Sequence, residues 1–134
     1  LESDWKQLVV MLQKEVAERI ISNEGNKKYG RTSIMMQSFF DVELKFHIPN
    51  TVFKPMPKIK SSLLSITPKK NIGLIYENLK IVVENAFKHR RKKLTHNFKN
   101  IIEPEKLIEV KDQRAEQLTV EKYQELSHFL IKKK

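Results

Sequence analysis

With 134 residues, 40% of them hydrophobic and 31% charged, the chain can fill one ordinary domain or parts of two and is too apolar for a disordered segment. It contains no cysteine, which excludes disulfides and thiolate metal sites. It also shows no basic-then-apolar leader, and no apolar run near the roughly 20 residues of a membrane span, so a soluble cytoplasmic protein with no membrane or metal partner is expected. The net charge of +10, from 26 Lys and Arg against 16 Asp and Glu, favours a polyanionic partner over the plainer reading of a lysine-rich, merely solubilising surface.

Three glycines, Gly25, Gly30 and Gly73, are spread through the chain. A phosphate- or cofactor-cradling loop needs several together, so neither a P-loop nor a dinucleotide fingerprint is present. Leu8 to Leu12 suits a buried strand, although with Val16, Ala17 and Ile20 the same stretch also fits one amphipathic helix. The reading adopted is a strand ending near Gln13, then a helix from about Glu15 to Ile21. Ser22 to Lys28 is a polar loop. Thr32 to Phe40 groups Ile34, Met35, Met36, Phe39 and Phe40 as a helix would. Asp41 to Ile48 alternates, with Val42, Leu44, Phe46 and Ile48 on one face and Glu43, Lys45 and His47 on the other, which predicts a half-buried strand.

Pro49, Pro55 and Pro57 then rule out regular structure. Ile59 to Ile66 resumes a strand pattern ending at Pro68, so the two strands are expected to form a hairpin around a functional or rigid loop. A boundary falls in Thr67 to Gly73. Beyond it Leu74, Ile75, Leu79, Val82, Val83, Ala86 and Phe87 recur at helical spacing, and Leu94 and Phe98 extend the stripe. A short helix is expected over Lys106 to Val110. Thr119 can cap a last helix that buries Tyr123, Leu126 and Leu130.

The segment Lys88 to Lys99 (KHRRKKLTHNFK) holds six Lys or Arg, two His and no acidic residue. On a helix continued from Leu74, Lys88, Lys92 and Lys99 share one exposed stripe, the arrangement a phosphate backbone asks for. The plain alternative is a solvated face, though such faces usually mix signs. Arg90 falls on the apolar side of the same wheel. Either the helix breaks there or a carboxylate, Glu15 or Glu116, holds the guanidinium, and a structural role is expected. In Phe53-Lys54-Pro55-Met56-Pro57-Lys58, alternate prolines fix Phe53, which either packs inward or stacks on an extruded base. His47, His89, His96 and His128 form no metal-ligand pair. Gln13, Glu15 and Arg19 are a compact polar set at the end of a strand, where α/β sheets border ligands, or else Glu15 and Arg19 are an i,i+4 surface pair.

Taken together, five segments resemble the KsgA/RsmA-type rRNA adenine dimethyltransferases. Met11 to Arg19 (MLQKEVAER) is similar to MVQKEVAxR, and Tyr29 to Gln37 (YGRTSIMMQ) to YGRLSVMxQ. Phe53 to Ser61 (FKPMPKIKS) is similar to FxPxPKVDS, Phe87 to Leu94 (FKHRRKKL) to FxxRRKTL, and Arg114 to Glu121 (RAEQLTVE) to RAExLSVE. They follow the family's order and span nearly the whole chain.

The resemblance implies an α/β fold. Residues 1–68 would be the C-terminal portion of a Rossmann-like, S-adenosylmethionine-dependent methyltransferase sheet, and residues 69–134 a small all-α RNA-binding domain. It implies methylation of two adjacent adenines in a 3′-terminal hairpin of small-subunit rRNA by a monomer acting on the small ribosomal subunit. Phe53, Pro55 and Pro57 would hold the flipped adenine. Lys88, Arg91, Lys92 and Lys93 would grip rRNA, with Lys99, Lys58 and Arg31 as further contacts, while Gln13, Glu15, Arg19 and Arg90 would be structural. Ile59-Lys60 stands where Val-Asp is usual, and Lys93 replaces Thr. The glycine-rich donor loop, the ribose-binding acid and the Asn-Leu-Pro-Tyr motif are not in this sequence, so catalytic and cofactor-binding residues are expected before Leu1 and the chain alone should be inactive. A non-catalytic RNA-binding or assembly module is the alternative. A macrolide-resistance methyltransferase fits the RAEQLTVE ending poorly, and a basic DNA-binding domain would leave the first 68 residues unexplained.

Overall fold

The computed structural model describes residues 6–52, 54–56, 59–70 and 72–131. The chain opens with strand β1 (Leu8–Gln13) and runs directly into α1 (Lys14–Ile21); after a loop come α2 (Arg31–Phe39) and β2 (Phe40–Ile48). A single 3-10 turn, Asn50–Val52, leads through the proline-rich segment to β3 (Ser61–Pro68). The second half carries α3 (Tyr76–Ala86), the one-turn α4 (Leu94–Asn97), 3-10 segments at Pro104–Val110 and Ala115–Gln117, and α5 (Val120–Ser127).

The sheet order is β1-β3-β2, with β3 antiparallel to both neighbours. Hence β1 and β2 run parallel, joined by a helical crossover, and β3 slots between them as the return limb of the expected hairpin. Val10 and Leu12 of β1, Val42 and Leu44 of β2, and Leu64 and Ile66 of β3 face α1 and α2, where Ala17 and Ile20 complete a small core.

Two strand expectations need correction. β3 begins at Ser61 instead of Ile59, and β2 does not keep its alternation. The register steps from Leu44 opposite Leu64 to Phe46 opposite Leu63, so Lys45 is the extra residue of a β-bulge. A bulge shifts the pleat by one residue. Phe46 therefore leaves the helix-covered face and is 56% exposed, while the His47 ring nitrogen Nδ1 lies 2.6 Å from the Ser62 hydroxyl. Opposite residues share a face, so Met11, Leu63 and Phe46 form one row across the three strands on the uncovered side.

The larger core belongs to the second half. Leu79, Val82, Val83 and Ala86 of α3 pack with Leu94, Phe98, Ile102, Leu107, Val110, Leu118, Tyr123 and Leu126, and Tyr29, Ile34 and Phe39 join them from the first half. α2 thus buries both sides: Ile34 and Phe39 enter this core, while Met36 packs on the sheet. That is why its apolar residues do not form a single stripe. The helix expected to run on from Leu74 instead stops at Ala86. No helix among the described residues is long and apolar enough to cross a membrane.

Candidate nucleic-acid interface

The basic run forms an exposed turn, with Lys88, His89, Arg90, Arg91, Lys92 and Lys93 all exposed. Continuing α3 through it would set like charges three and four residues apart, which destabilises a helix. Beyond the end of α3 the same cations meet the negative end of the helix dipole instead. Asn97 of α4 fixes the turn from below. Its side-chain amide donates to the carbonyls of Ala86 (2.9 Å) and His89 (3.1 Å). The Lys92 amide donates to the His89 carbonyl at 2.9 Å, and Phe87 stacks on the buried Tyr123 with ring centroids 6.2 Å apart.

The helical stripe of Lys88, Lys92 and Lys99 is therefore corrected. Lys88 and Lys92 sit in the turn, and Lys99 lies beyond α4. Lys93 caps α4 and meets Asp112 at 3.2 Å, a pair so exposed that it holds the lysine only weakly. Among the described residues Lys88, Arg90, Arg91, Lys92 and Lys99 have no ion-pair partner, so their charge is available to a ligand.

Of the two alternatives for Arg90 the structure shows the break: the helix ends before it, and the residue is exposed, with no ion-pair partner among the described residues. Glu15 instead meets Arg19 at 3.8 Å as an i,i+4 pair, and the Glu116 Oε2 is buried with no hydrogen-bond partner among the described residues. Gln13 ends β1 opposite Ser61 and opens α1 without a side-chain cap bond. Arg31 opens α2 and shares a cavity with Arg90, Arg19, Lys27 and Lys28. Sequence reasoning missed Lys27 and Lys28 because they read as loop filler, and Asn97 because nothing local marks it. Phe53, Pro57 and Lys58 lie outside the described residues. Pro55, which follows a cis peptide bond, is exposed. The Lys14 amide donates to the Lys60 carbonyl at 2.8 Å, tying the end of this loop to the start of α1.

Gly25, in the loop after α1, and Gly73, between β3 and α3, take positive φ. Among the described residues no group of three or more His, Cys, Asp or Glu is placed to hold a metal ion.

A model of the family described as ribosomal RNA adenine dimethylase matches residues 2–133. The chain belongs to this family. The ribosomal RNA small subunit methyltransferase A of Buchnera aphidicola is 39% identical over 129 residues, which cover 92% of this chain and 47% of that protein. Its namesake in Parabacteroides distasonis is 40% identical over 122 residues, 87% of this chain and 46% of that one. The chain thus spans about half the length of these curated relatives.

Two crystal structures share the fold. A dimethyladenosine transferase from Plasmodium falciparum matches with a TM-score of 0.83 at 21% identity, over 97% of this chain and 61% of that one. The 23S rRNA methyltransferase ErmE matches with a TM-score of 0.68 at 17% identity, over 93% and 55%. The α/β reading, a partial methyltransferase sheet followed by helices, agrees with these matches.

Much of the dimethylase signature in this chain works as internal bonding. The Tyr29 hydroxyl of the YGR segment donates to the Leu118 carbonyl of RAEQL at 2.6 Å. The Ser33 hydroxyl donates to the Arg19 carbonyl, and the Gln37 amide donates to the carbonyls of Ile20 and Ser22, both at 2.8 Å. Tyr123 donates to the Ala115 carbonyl at 2.6 Å. Burial of both phenols pushes their pKa values far above the ordinary tyrosine range, so they stay protonated donors. These bonds hold α1, α2 and the helical half against one another beside the basic turn.

Proposed function

We propose that this chain is the C-terminal part of an S-adenosylmethionine-dependent rRNA adenine N6-dimethyltransferase that modifies two adjacent adenines in a 3′-terminal hairpin of small-subunit rRNA. The observation that carries this is the family match over residues 2–133. In this reading residues 1–68 complete the methyltransferase sheet and residues 69–134 form the RNA-binding unit, with α2 packed into both. The donor site lies in the half of the relatives that this chain does not span, and the donor supplies the methyl group. The chain's own residues bind and position RNA. Lys88, Arg91, Lys92 and Lys93 draw in the phosphate backbone, Lys99, Lys58 and Arg31 add further contacts, and Phe53 with Pro55 and Pro57 receives the flipped adenine. The protein acts as a cytoplasmic monomer on the small ribosomal subunit.

The test is to express the chain together with the coding sequence preceding Leu1. Unmethylated small ribosomal subunits are then incubated with S-adenosylmethionine, and the rRNA is digested for mass spectrometry. Dimethyladenosine near the 3′ end is expected, and its absence in a folded, donor-binding protein would sink the enzyme reading. The unpaired cations of the basic turn favour one alternative, a non-catalytic RNA-binding or assembly module, which would bind the same subunits and leave their adenines unchanged.

A further inference from the structure

We infer that the cavity between α1, the start of α2 and the turn after α3 is a pocket for a single phosphodiester of the RNA backbone. The inference rests on the RNA-binding reading above and deepens it. The cavity has a volume of about 480 Å³, and Arg19, Lys27, Lys28, Arg31 and Arg90 line it against one carboxylate, Glu15. Two of these cations are already matched, Arg19 with Glu15 at 3.8 Å and Lys28 with Glu18 at 2.5 Å. Lys27, Arg31 and Arg90 have no ion-pair partner among the described residues.

Three unmatched cations lining one cavity, Lys27 and Arg31 from the segment that leads into α2 and Arg90 from the turn after α3, repel one another, and an anion bound between them relieves that repulsion. Arginine is suited to the task, because its planar fork offers a phosphate two parallel N–H donors. The first turn of α2 carries no acidic residue to oppose an anion. Arg90 belongs both to this cavity and to the exposed basic turn. A strand lying along Lys88, Arg91 and Lys92 therefore passes the cavity mouth, which favours a backbone phosphate over a free small anion.

The first arm of the test titrates the chain with inorganic phosphate and follows it by NMR. The amides of Gly30, Arg31 and Thr32 and the Arg90 Nε–H should shift, and Arg31→Gln should abolish the shifts. No shift at these groups would overturn the pocket. The second arm measures binding of a 3′-terminal rRNA hairpin by the chain. Arg31→Gln and Arg90→Gln should each weaken it about tenfold. The double variant should lose little more than either alone, because both arginines hold one phosphate and their effects are coupled. Multiplying losses would put the two arginines on separate phosphates and refute a shared pocket. Phosphate shifts without any hairpin binding would refute the RNA reading while leaving an anion pocket in place. Both side chains are exposed, so thermal melting of each variant should match the parent.

Discussion

Glu18 sits on α1 where two lysines reach it, Lys28 at 2.5 Å and Lys14 at 3.7 Å. The hydrogen bond from Lys28 holds its carboxyl below the ordinary value of 4.5, against a smaller opposing effect of burial. A depressed folded pKa means that this group stabilises the fold above its unfolded pKa and loses that contribution as pH falls through the folded value. Lys28→Met should therefore move the Glu18 titration up toward 4.5, read from its side-chain carboxyl resonance. An unmoved titration would mean that the bond does not persist in solution. The proposed role of Phe53 gives a second prediction at this scale. In the chain extended by its preceding coding sequence, Phe53→Ala should lower methyl transfer by about tenfold or more while changing RNA affinity far less, since stacking acts on the flipped base. Equal losses in both would point to packing.

Individual elements show which signals are local and which are not. Thr119 opens α5 with its side chain accepting from the Lys122 amide at 3.1 Å. Thr119→Ala should cost about 1 kcal/mol in urea unfolding, and Thr119→Asp should restore it; no change for alanine would mean that the cap is redundant. This helix, β1 with α1, and most of β2 were legible because a cap, a run or an alternation marks each within a few residues. The bulge at Lys45 was not, since it depends on pairing with a strand some 20 residues on. The end of α3 was hidden by apolar spacing that carries on through Leu94 and Phe98 although the backbone does not. What closes that helix is Asn97 reaching back to the Ala86 carbonyl, a contact that exists only once the chain has turned. The basic run was legible as charge but not as a turn. Lys88→Ala with Lys92→Ala should weaken rRNA binding and lower the slope of log affinity against log salt by about 1.5. An unchanged slope would remove the turn from the interface.

At the scale of the whole molecule, the described residues cover the sheet on one side only. β1 pairs with β3 alone among the described residues, leaving its other edge open. The outward residues Val9, Met11 and Phe46 are 53%, 52% and 56% exposed. An open edge flanked by apolar side chains templates further pairing. The matched relatives are about twice as long as this chain, so in a protein of their length the half outside this chain is expected to cover this edge and face. That reading separates the behaviour of the chain alone from that of the longer protein. On its own, the chain should self-associate in sedimentation velocity at micromolar concentration, despite its net charge of +10. Val9→Lys with Met11→Lys should restore a monomer at little cost in stability, because neither side chain is buried in the core. The same pair of substitutions in the extended protein should instead disrupt folding, since there the lysines would meet a packed surface. A chain that stays monomeric without the substitutions, or an extended protein that tolerates them, would mean that the outer face of this sheet is solvated.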